Sequence, residues 1–251
     1  MMKIALITGA SRGIGRSAAL QLAARNTAVV VTYLQGKEQA NALVADIERA
    51  GGSAAALQLD VGHVESFASF ARNLQALVQQ KWQRDRIDYL VNNAGIGGFS
   101  MIADVTEGYF DQMINVHFKG PFFLTQTLLP LLADNGKIIN ITSATTRVIF
   151  AGTAPYAACK GAMDIVTRCL AKELGTRGIQ VNSISPGAIR TELADSALDK
   201  NPEFAQALAN ETALGRVGEP DDVGKVVAAL LSEDSNWINA QRIEVAGGFY
   251  I

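Results

Sequence analysis

Short apolar runs rich in β-branched residues, recurring between longer stretches of helical period, are what most constrain this chain. The strand candidates are "KIALIT", "AVVVTY", "AAALQL", "IDYLVN", "GKIINIT", "IQVNSIS" and "QRIEVA". Helical period marks the intervals 14–25, 37–50, 64–81, about 109–132, 155–177 and 221–231. Runs such as "AVVVTY" and "KIINIT" are apolar on both faces, as strands covered by helices above and below must be. Regular alternation of this kind predicts an α/β fold, a doubly wound parallel sheet of about seven strands with right-handed crossovers. No linker or repeat divides the 251 residues, and a chain that is 49% hydrophobic can bury one large core, so a single domain over 1–251 is expected. The stretch 191–215 breaks the rhythm and reads as an inserted helical lid beyond the carboxyl end of a strand, where such sheets bind ligands.

Charge and composition exclude several functions. Lys and Arg number 22 against 24 Asp and Glu, a net charge of −2, and no basic stripe suggests a nucleic-acid partner. "MMKIALITG" lacks the long apolar core and small-residue cleavage site of a signal peptide. No apolar stretch approaches the roughly 18 residues of a membrane span. Cys159 and Cys169 lie ten positions apart in one helical stretch and read as buried free thiols. A cytoplasmic protein without membrane or nucleic-acid partners is expected. His63 reads as a surface residue, His117 is expected to face away from the chemistry, and neither has the company of metal ligands.

"KIALIT" followed by "GASRGIG" and a helix is the strand–turn–helix setting in which a glycine loop acquires meaning. A helix amino end offers unpaired N–H groups and partial positive charge, which suit a pyrophosphate. The spacing is G-x-x-x-G-x-G and not the usual G-x-G-x-x-G, so on the loop alone a tight turn without ligand is the alternative reading, and Arg12 taken alone is an ordinary surface arginine.

Further motifs accompany the loop. "TGASRGIG" (8–15), "NNAG" (92–95), Asn115, Ser143, "YAACK" (156–160) and the Pro186–Gly187 pair stand in the order and spacing of the short-chain dehydrogenase/reductase family, which the chain resembles over essentially its whole length. The resemblance implies a Rossmann-type fold, a nicotinamide dinucleotide and hydride transfer between a carbonyl and an alcohol. It implies cofactor contacts from Gly9, Ser11, Arg12, Gly13, Ile14 and Gly15 in the loop. It also implies contacts from Asp60 and Val61 at the adenine, Asn93, Ala94 and Gly95 along the cofactor, and Pro186, Gly187, Ile189 and Thr191 around the nicotinamide and pyrophosphate. Read locally, Asp60 is also a candidate helix N-cap and "NNAG" a simple turn.

The adenosine end carries a second signal. A carboxylate about 20 residues beyond the loop selects NAD by bonding the ribose hydroxyls. Here the second strand ends at Tyr33, and no Asp or Glu occurs over 29–37. With Arg12 in the loop and Lys37 after the strand as cations for a 2′-phosphate, NADP(H) is expected over NAD(H).

Tyr156 and Lys160 are four apart, on one face of a helix entered through Pro155. An ammonium roughly 5–6 Å from a phenol, at an effective dielectric of about 20, favours phenolate by about 3 kcal/mol. The tyrosine is therefore expected to titrate well below its usual value of about 10 and to act as acid/base. By resemblance, Ser143 holds the substrate oxygen and Asn115 anchors a water reached by Lys160. The implied proton path runs from Tyr156 through the ribose hydroxyl and Lys160 to that water. Ala240 and Ala246 depart from the family's usual Gly and Asp near a carboxyl end that commonly builds a homotetramer or homodimer. "GTAPY" replaces the "GQ-x-NY" frequent among 3-oxoacyl-carrier-protein reductases. An apolar substrate wall from Phe99, Met101, Val148, Ile149, Phe150 and Leu193 suits a ketone of hydrocarbon character. Carrier-protein thioesters, sugars and a non-catalytic dinucleotide-binding role remain alternatives.

Overall fold

The computed structural model describes residues 2–193 and 197–251. Seven strands, β1 (Lys3–Ile7), β2 (Thr27–Tyr33), β3 (Ala54–Gln58), β4 (Ile87–Asn92), β5 (Leu132–Ile141), β6 (Gln180–Pro186) and β7 (Arg242–Val245), form one sheet in the order β3-β2-β1-β4-β5-β6-β7. Every pairing is parallel. The helices are α1 (Gly13–Ala23), α2 (Lys37–Arg49), α3 (Phe67–Trp82), α4 (Glu107–Ile114), α5 (Gly120–Leu128), α6 (Ala154–Leu174), α7 (Ala197–Lys200), α8 (Pro202–Asn210) and α9 (Pro220–Leu230).

Two-sided apolar strands become two cores. Ala5, Ile7, Val29, Val31, Val91 and Ile139 point to one face, where α1, α2 and α9 bring Leu22, Leu43, Ile47 and Val227. Their neighbours Ile4, Leu6, Val30, Leu90 and Ile138 point to the other, against Phe67, Leu74, Leu124 and Leu174 of α3, α5 and α6. Burial on both faces at alternate residues is the period of a strand, so the sequence pattern and the layers agree. The chain builds outward from β1 to β3, then returns to β4 and builds the opposite way. The crevice between the carboxyl ends of β1 and β4 is therefore the switch point where such sheets take a ligand.

Three expectations are corrected. The long helix over 109–132 is interrupted: a π-helical turn at Asn115–Lys119 separates α4 from α5, and Leu132 already belongs to β5. β5 starts before "GKIINIT" because Leu132 pairs with Ile87 ahead of a register shift, after which Lys137 pairs with Tyr89. Cys159 is buried but Cys169 is exposed.

The departure at Ala240 has a backbone cost. Ala240 sits at φ 60°, in the left-handed region, while packing against the second core. Left-handed φ costs an alanine about 1–2 kcal/mol, partly offset in glycine by a freer unfolded chain. Ala240→Gly should stabilise the fold by about 1 kcal/mol, read as a rise in Tm of about 2–4 °C. An unchanged or lower Tm would contradict this reading of the strain.

Candidate active site

The glycine loop runs from the end of β1 into α1. Gly9 has φ +62°, and a Cβ there would lie 2.7 Å from the Ala94 Cα, so only glycine lets the loop pass beneath the chain leaving β4. Arg12 is the N-cap of α1 and makes no side-chain cap bond, and the first turn, Gly13, Ile14 and Gly15, carries no acidic residue. The leading N–H groups of a helix have no intrahelical partner. This amino end and its close backbone therefore fit a pyrophosphate. The Thr191 methyl lies against Gly13, and Ser11 lies against Gly36, at the turn leading from β2 to α2. The segment after β6 thus covers the loop, and the loop abuts the turn flanked by Tyr33 and Lys37.

Asn93 fastens the switch point. Its Nδ2 donates to the carbonyls of Thr8 at 2.9 Å and Gly9 at 3.0 Å, and its N–H and that of Ala94 donate to the Thr8 hydroxyl. Asn92 instead enters the interior: it donates to Thr125 and to Asn140, and Asn140 donates to Thr167 of α6. That buried polar chain links β4, β5 and the helix carrying Tyr156, and composition or spacing gave no sign of it. Asp60 is not a helix cap, because its Oδ1 accepts from the Gly62 N–H at 2.8 Å, a local turn just beyond β3. Val61 follows it and packs against the second core. Pro186 ends β6, Gly187 donates to the Val245 carbonyl, and Ile189 bridges to Gly218.

Arg12 precedes α1 and Lys37 opens α2, and Arg12 is engaged: its Nη1 pairs with Glu192 at 2.9 Å, both side chains being more than half exposed. Exposed pairs of this kind are weak and readily exchanged for a better anion. No acidic residue occupies 29–37, and Tyr33 is half-buried at the strand end.

The chemistry-bearing groups converge from β5 and α6. Ser143 lies two residues beyond β5, and its Oγ accepts from the Thr145 N–H at 3.2 Å and from the Thr145 hydroxyl at 2.9 Å. With both acceptor positions used, its single proton is left to donate, and a hydrogen bond joins it to Tyr156. Lys160 is buried, donates to the Ile141 carbonyl at 2.8 Å and sits 5.6 Å from the centre of the Tyr156 ring. The expected fall in the tyrosine pKa is reversed. Burial pushes the Tyr156 phenol up, with the Ser143 hydrogen bond acting against it. Burial also lowers Lys160 to about 8. Counting charges along a helix leaves out the cost of removing both groups from water. A phenol that stays protonated at neutral pH is suited to giving a proton.

Asn115 opens the π-helical turn, its carbonyl accepts from the Gly120 N–H, and the residue is half-buried. Beside Lys160 lies a cavity of about 10 Å³, enough for one water. Its lining includes Thr8, Asn92, Val116, His117 and Asn140. His117, expected to face away, is the clearest omission of sequence reasoning. It is buried and perpendicular to the Tyr156 ring, with centroids 5.0 Å apart. The π-turn adds a residue to the helix and re-aims the side chains that follow Asn115. His63 is exposed, as expected.

The residues expected to wall the substrate divide into two groups. Phe99, Met101, Ile149 and Leu193 are exposed, whereas Val148 and Phe150 pack into a third, smaller core with Leu198, Leu208 and Phe249. Residues 194–196 of the expected lid lie outside the described residues.

A parallel sheet with this strand order, a glycine loop at its switch point and a Ser–Tyr–Lys group beside it define a dinucleotide-linked oxidoreductase. A family model described as Enoyl-(Acyl carrier protein) reductase matches residues 9–250. An uncharacterized oxidoreductase of Methylorubrum extorquens is 42% identical over 247 residues, 98% of this chain and 97% of its own. A 3-oxoacyl-[acyl-carrier-protein] reductase of Staphylococcus aureus is 36% identical over 253 residues, 100% of this chain and 99% of its own. Among solved structures, an angucycline C-6 ketoreductase with bound NADP superposes with a TM-score of 0.94 at 36% identity, covering 99% of this chain and 95% of that one. The chain belongs to the short-chain dehydrogenase/reductase family and is an oxidoreductase.

Proposed function

We propose that the protein reduces a ketone to a secondary alcohol with NADPH, Tyr156 giving the proton. The observation that carries this reading is the convergence of Ser143, Tyr156 and Lys160 beside the crevice that the glycine loop opens. When bound, NADPH supplies the hydride. With substrate bound, Ser143 turns the single proton it otherwise gives to Tyr156 towards the substrate oxygen and stabilises charge developing there. Tyr156, protonated at neutral pH, donates to the same oxygen. Lys160 keeps its ammonium below about pH 8, favours the phenolate left behind, and passes the proton onward towards the water-sized cavity. Asn115, at the head of the π-turn, holds the outer end of that path. Gly9, Ser11, Gly13, Ile14 and Gly15 hold the pyrophosphate. Asp60 and Val61 take the adenine, Asn93, Ala94 and Gly95 line the cofactor, and Pro186, Gly187, Ile189 and Thr191 enclose the nicotinamide end.

The preference for NADP(H) rests on Arg12 and Lys37 with Tyr33 in the acid's place, and the NADP bound to the angucycline ketoreductase supports it. Arg12→Ala should weaken NADPH binding about tenfold while leaving NADH nearly unchanged, since a charge-assisted bond to phosphate is lost only from the former. Titration of both cofactors by fluorescence checks this, and equal losses would contradict it.

The substrate is a ketone of apolar body. Phe99, Met101, Ile149 and Leu193 present hydrocarbon to solvent, and the segment 191–215 serves as the lid, with Leu198, Ala205 and Leu208 packed in the third core. A second reading, a 3-oxoacyl thioester, is favoured by the Staphylococcus aureus relative. NADPH consumption against a panel of ketones, 3-oxoacyl thioesters and sugars separates these, and no turnover of any would sink both. A second copy of this chain is the expected partner, as homotetramer or homodimer, consistent with Trp237 at 99% and Ile251 at 96% exposure near the edge strand. Among the described residues no helix is long and apolar enough to cross a membrane. The two unpaired cysteines suit a reducing, cytoplasmic setting.

A further inference from the structure

We propose that His117 is a positioning residue for Tyr156: anchored to the loop after β4, its imidazole holds the phenol ring in its reactive orientation and completes the small cavity beside Lys160. The proposal rests on Tyr156 being the proton donor.

Four observations carry it. His117 is 2% exposed, and its ring meets that of Tyr156 at 86° with centroids 5.0 Å apart, an edge-to-face contact that fixes orientation. Its Nε2 lies 2.9 Å from the Ile96 carbonyl and 3.3 Å from the Ile96 nitrogen, so the ring is tethered at one nitrogen to the loop that follows Asn93 and Ala94. The tether is tight, because a Cβ on Gly95 would lie 2.9 Å from the His117 Cε1. Its other nitrogen, Nδ1, is buried without a partner among the described residues, as is the Asn92 Oδ1. Both residues line the water-sized cavity together with Lys160.

These atoms form a matched set. The shorter contact, donation to the Ile96 carbonyl, places the proton on Nε2 and leaves Nδ1 an acceptor. The Lys160 ammonium spends one donor on Ile141 and keeps two. One water donating to Nδ1 and Asn92 Oδ1, and accepting from Lys160, satisfies all three. A neutral imidazole is required for this. Burial, and after it the charge of Lys160, lower His117 to about 3. The titratable groups facing it are Tyr156 and Lys160, both on α6; the loop after β4 offers only backbone, and the rest of the cavity wall is uncharged. A core histidine with a purely structural role would have no reason to aim a bare acceptor beside the lysine of the site.

Steady-state kinetics of His117→Leu and His117→Phe test the proposal. Leu should lower kcat about tenfold or more with the KM for NADPH within about twofold, because a misplaced proton donor slows turnover without loosening the cofactor. Phe, restoring an aromatic edge, should recover part of that loss. A kcat within about twofold of wild type in both, or a loss shared equally by kcat and NADPH affinity, overturns the assignment. Should neither variant fold, the wild-type enzyme decides. The chain has two histidines, and a long-range ¹H–¹⁵N spectrum should show one as a neutral Nε2–H tautomer unchanged from about pH 8 to 5. Titration of both imidazoles in that range, or an Nδ1–H tautomer for His117, overturns it. If the wild type turns over no carbonyl, the ketoreductase reading fails instead, and the spectrum still reports on the His117 geometry.

Discussion

Tyr156→Phe should lower turnover by about 10³-fold while NADPH still binds with nearly wild-type affinity. The substitution removes one hydroxyl and keeps the ring, so its perpendicular contact with His117 survives. What disappears is the proton donor and its hydrogen bond with Ser143. The fold should tolerate the change, because the phenol oxygen is replaced by nothing larger and Ser143 keeps both bonds from Thr145. Stopped-flow binding of NADPH alongside steady-state turnover separates the two effects. Turnover within about tenfold of wild type would place the proton donor elsewhere and dismantle the assignment.

Gly9→Ala should damage stability and cofactor binding together. An alanine at φ +62° costs about 1–2 kcal/mol in backbone strain. Its Cβ would also meet Ala94 at 2.7 Å from the Cα and 3.0 Å from the Cβ, closer than packed atoms come. Relieving that overlap adds about 1–3 kcal/mol. The strain falls at the crevice between β1 and β4, where Asn93 bonds the carbonyls of Thr8 and Gly9. A fall in Tm on the order of 10 °C is therefore expected, with NADPH affinity lost in the protein that still folds. A variant with unchanged Tm and affinity would show that the loop has slack the geometry denies.

Much of the architecture was legible because its determinants are local. Val29 to Val31 and the pair Ile138 and Ile139 are apolar at consecutive positions, which only a two-sided strand can bury. Gly9, Ser143, Tyr156 and Lys160 stood out because loop geometry and helical spacing give those residue types a chemical use, and the family resemblance gave them roles. What escaped was set by tertiary contact. Nothing in "NVHFK" marks a π-turn; it lies where Gly120 packs on the Val61 carbonyl. His117 followed from that turn, and ordinary helical period pointed it elsewhere. The start of β5 was hidden because exposed Asp134 and Asn135 read as loop, while its pairing depends on a register shift against β4. The direction of the Tyr156 shift required knowing burial, which spacing does not carry. Ala240 is visible in the sequence as a departure near the carboxyl end, and the structure adds a strained backbone there.

The central claim is that hydride passes from NADPH to a carbonyl carbon beside Tyr156. Turnover of a ketone with NADPH deuterated at the transferable position, read by mass spectrometry of the alcohol, tests it most directly. One deuterium on the carbinol carbon, delivered by the wild type and reduced about 10³-fold in rate by Tyr156→Phe, is the predicted result. Alcohol formed without deuterium, or no consumption of the cofactor with any ketone, 3-oxoacyl thioester or sugar, would contradict the account.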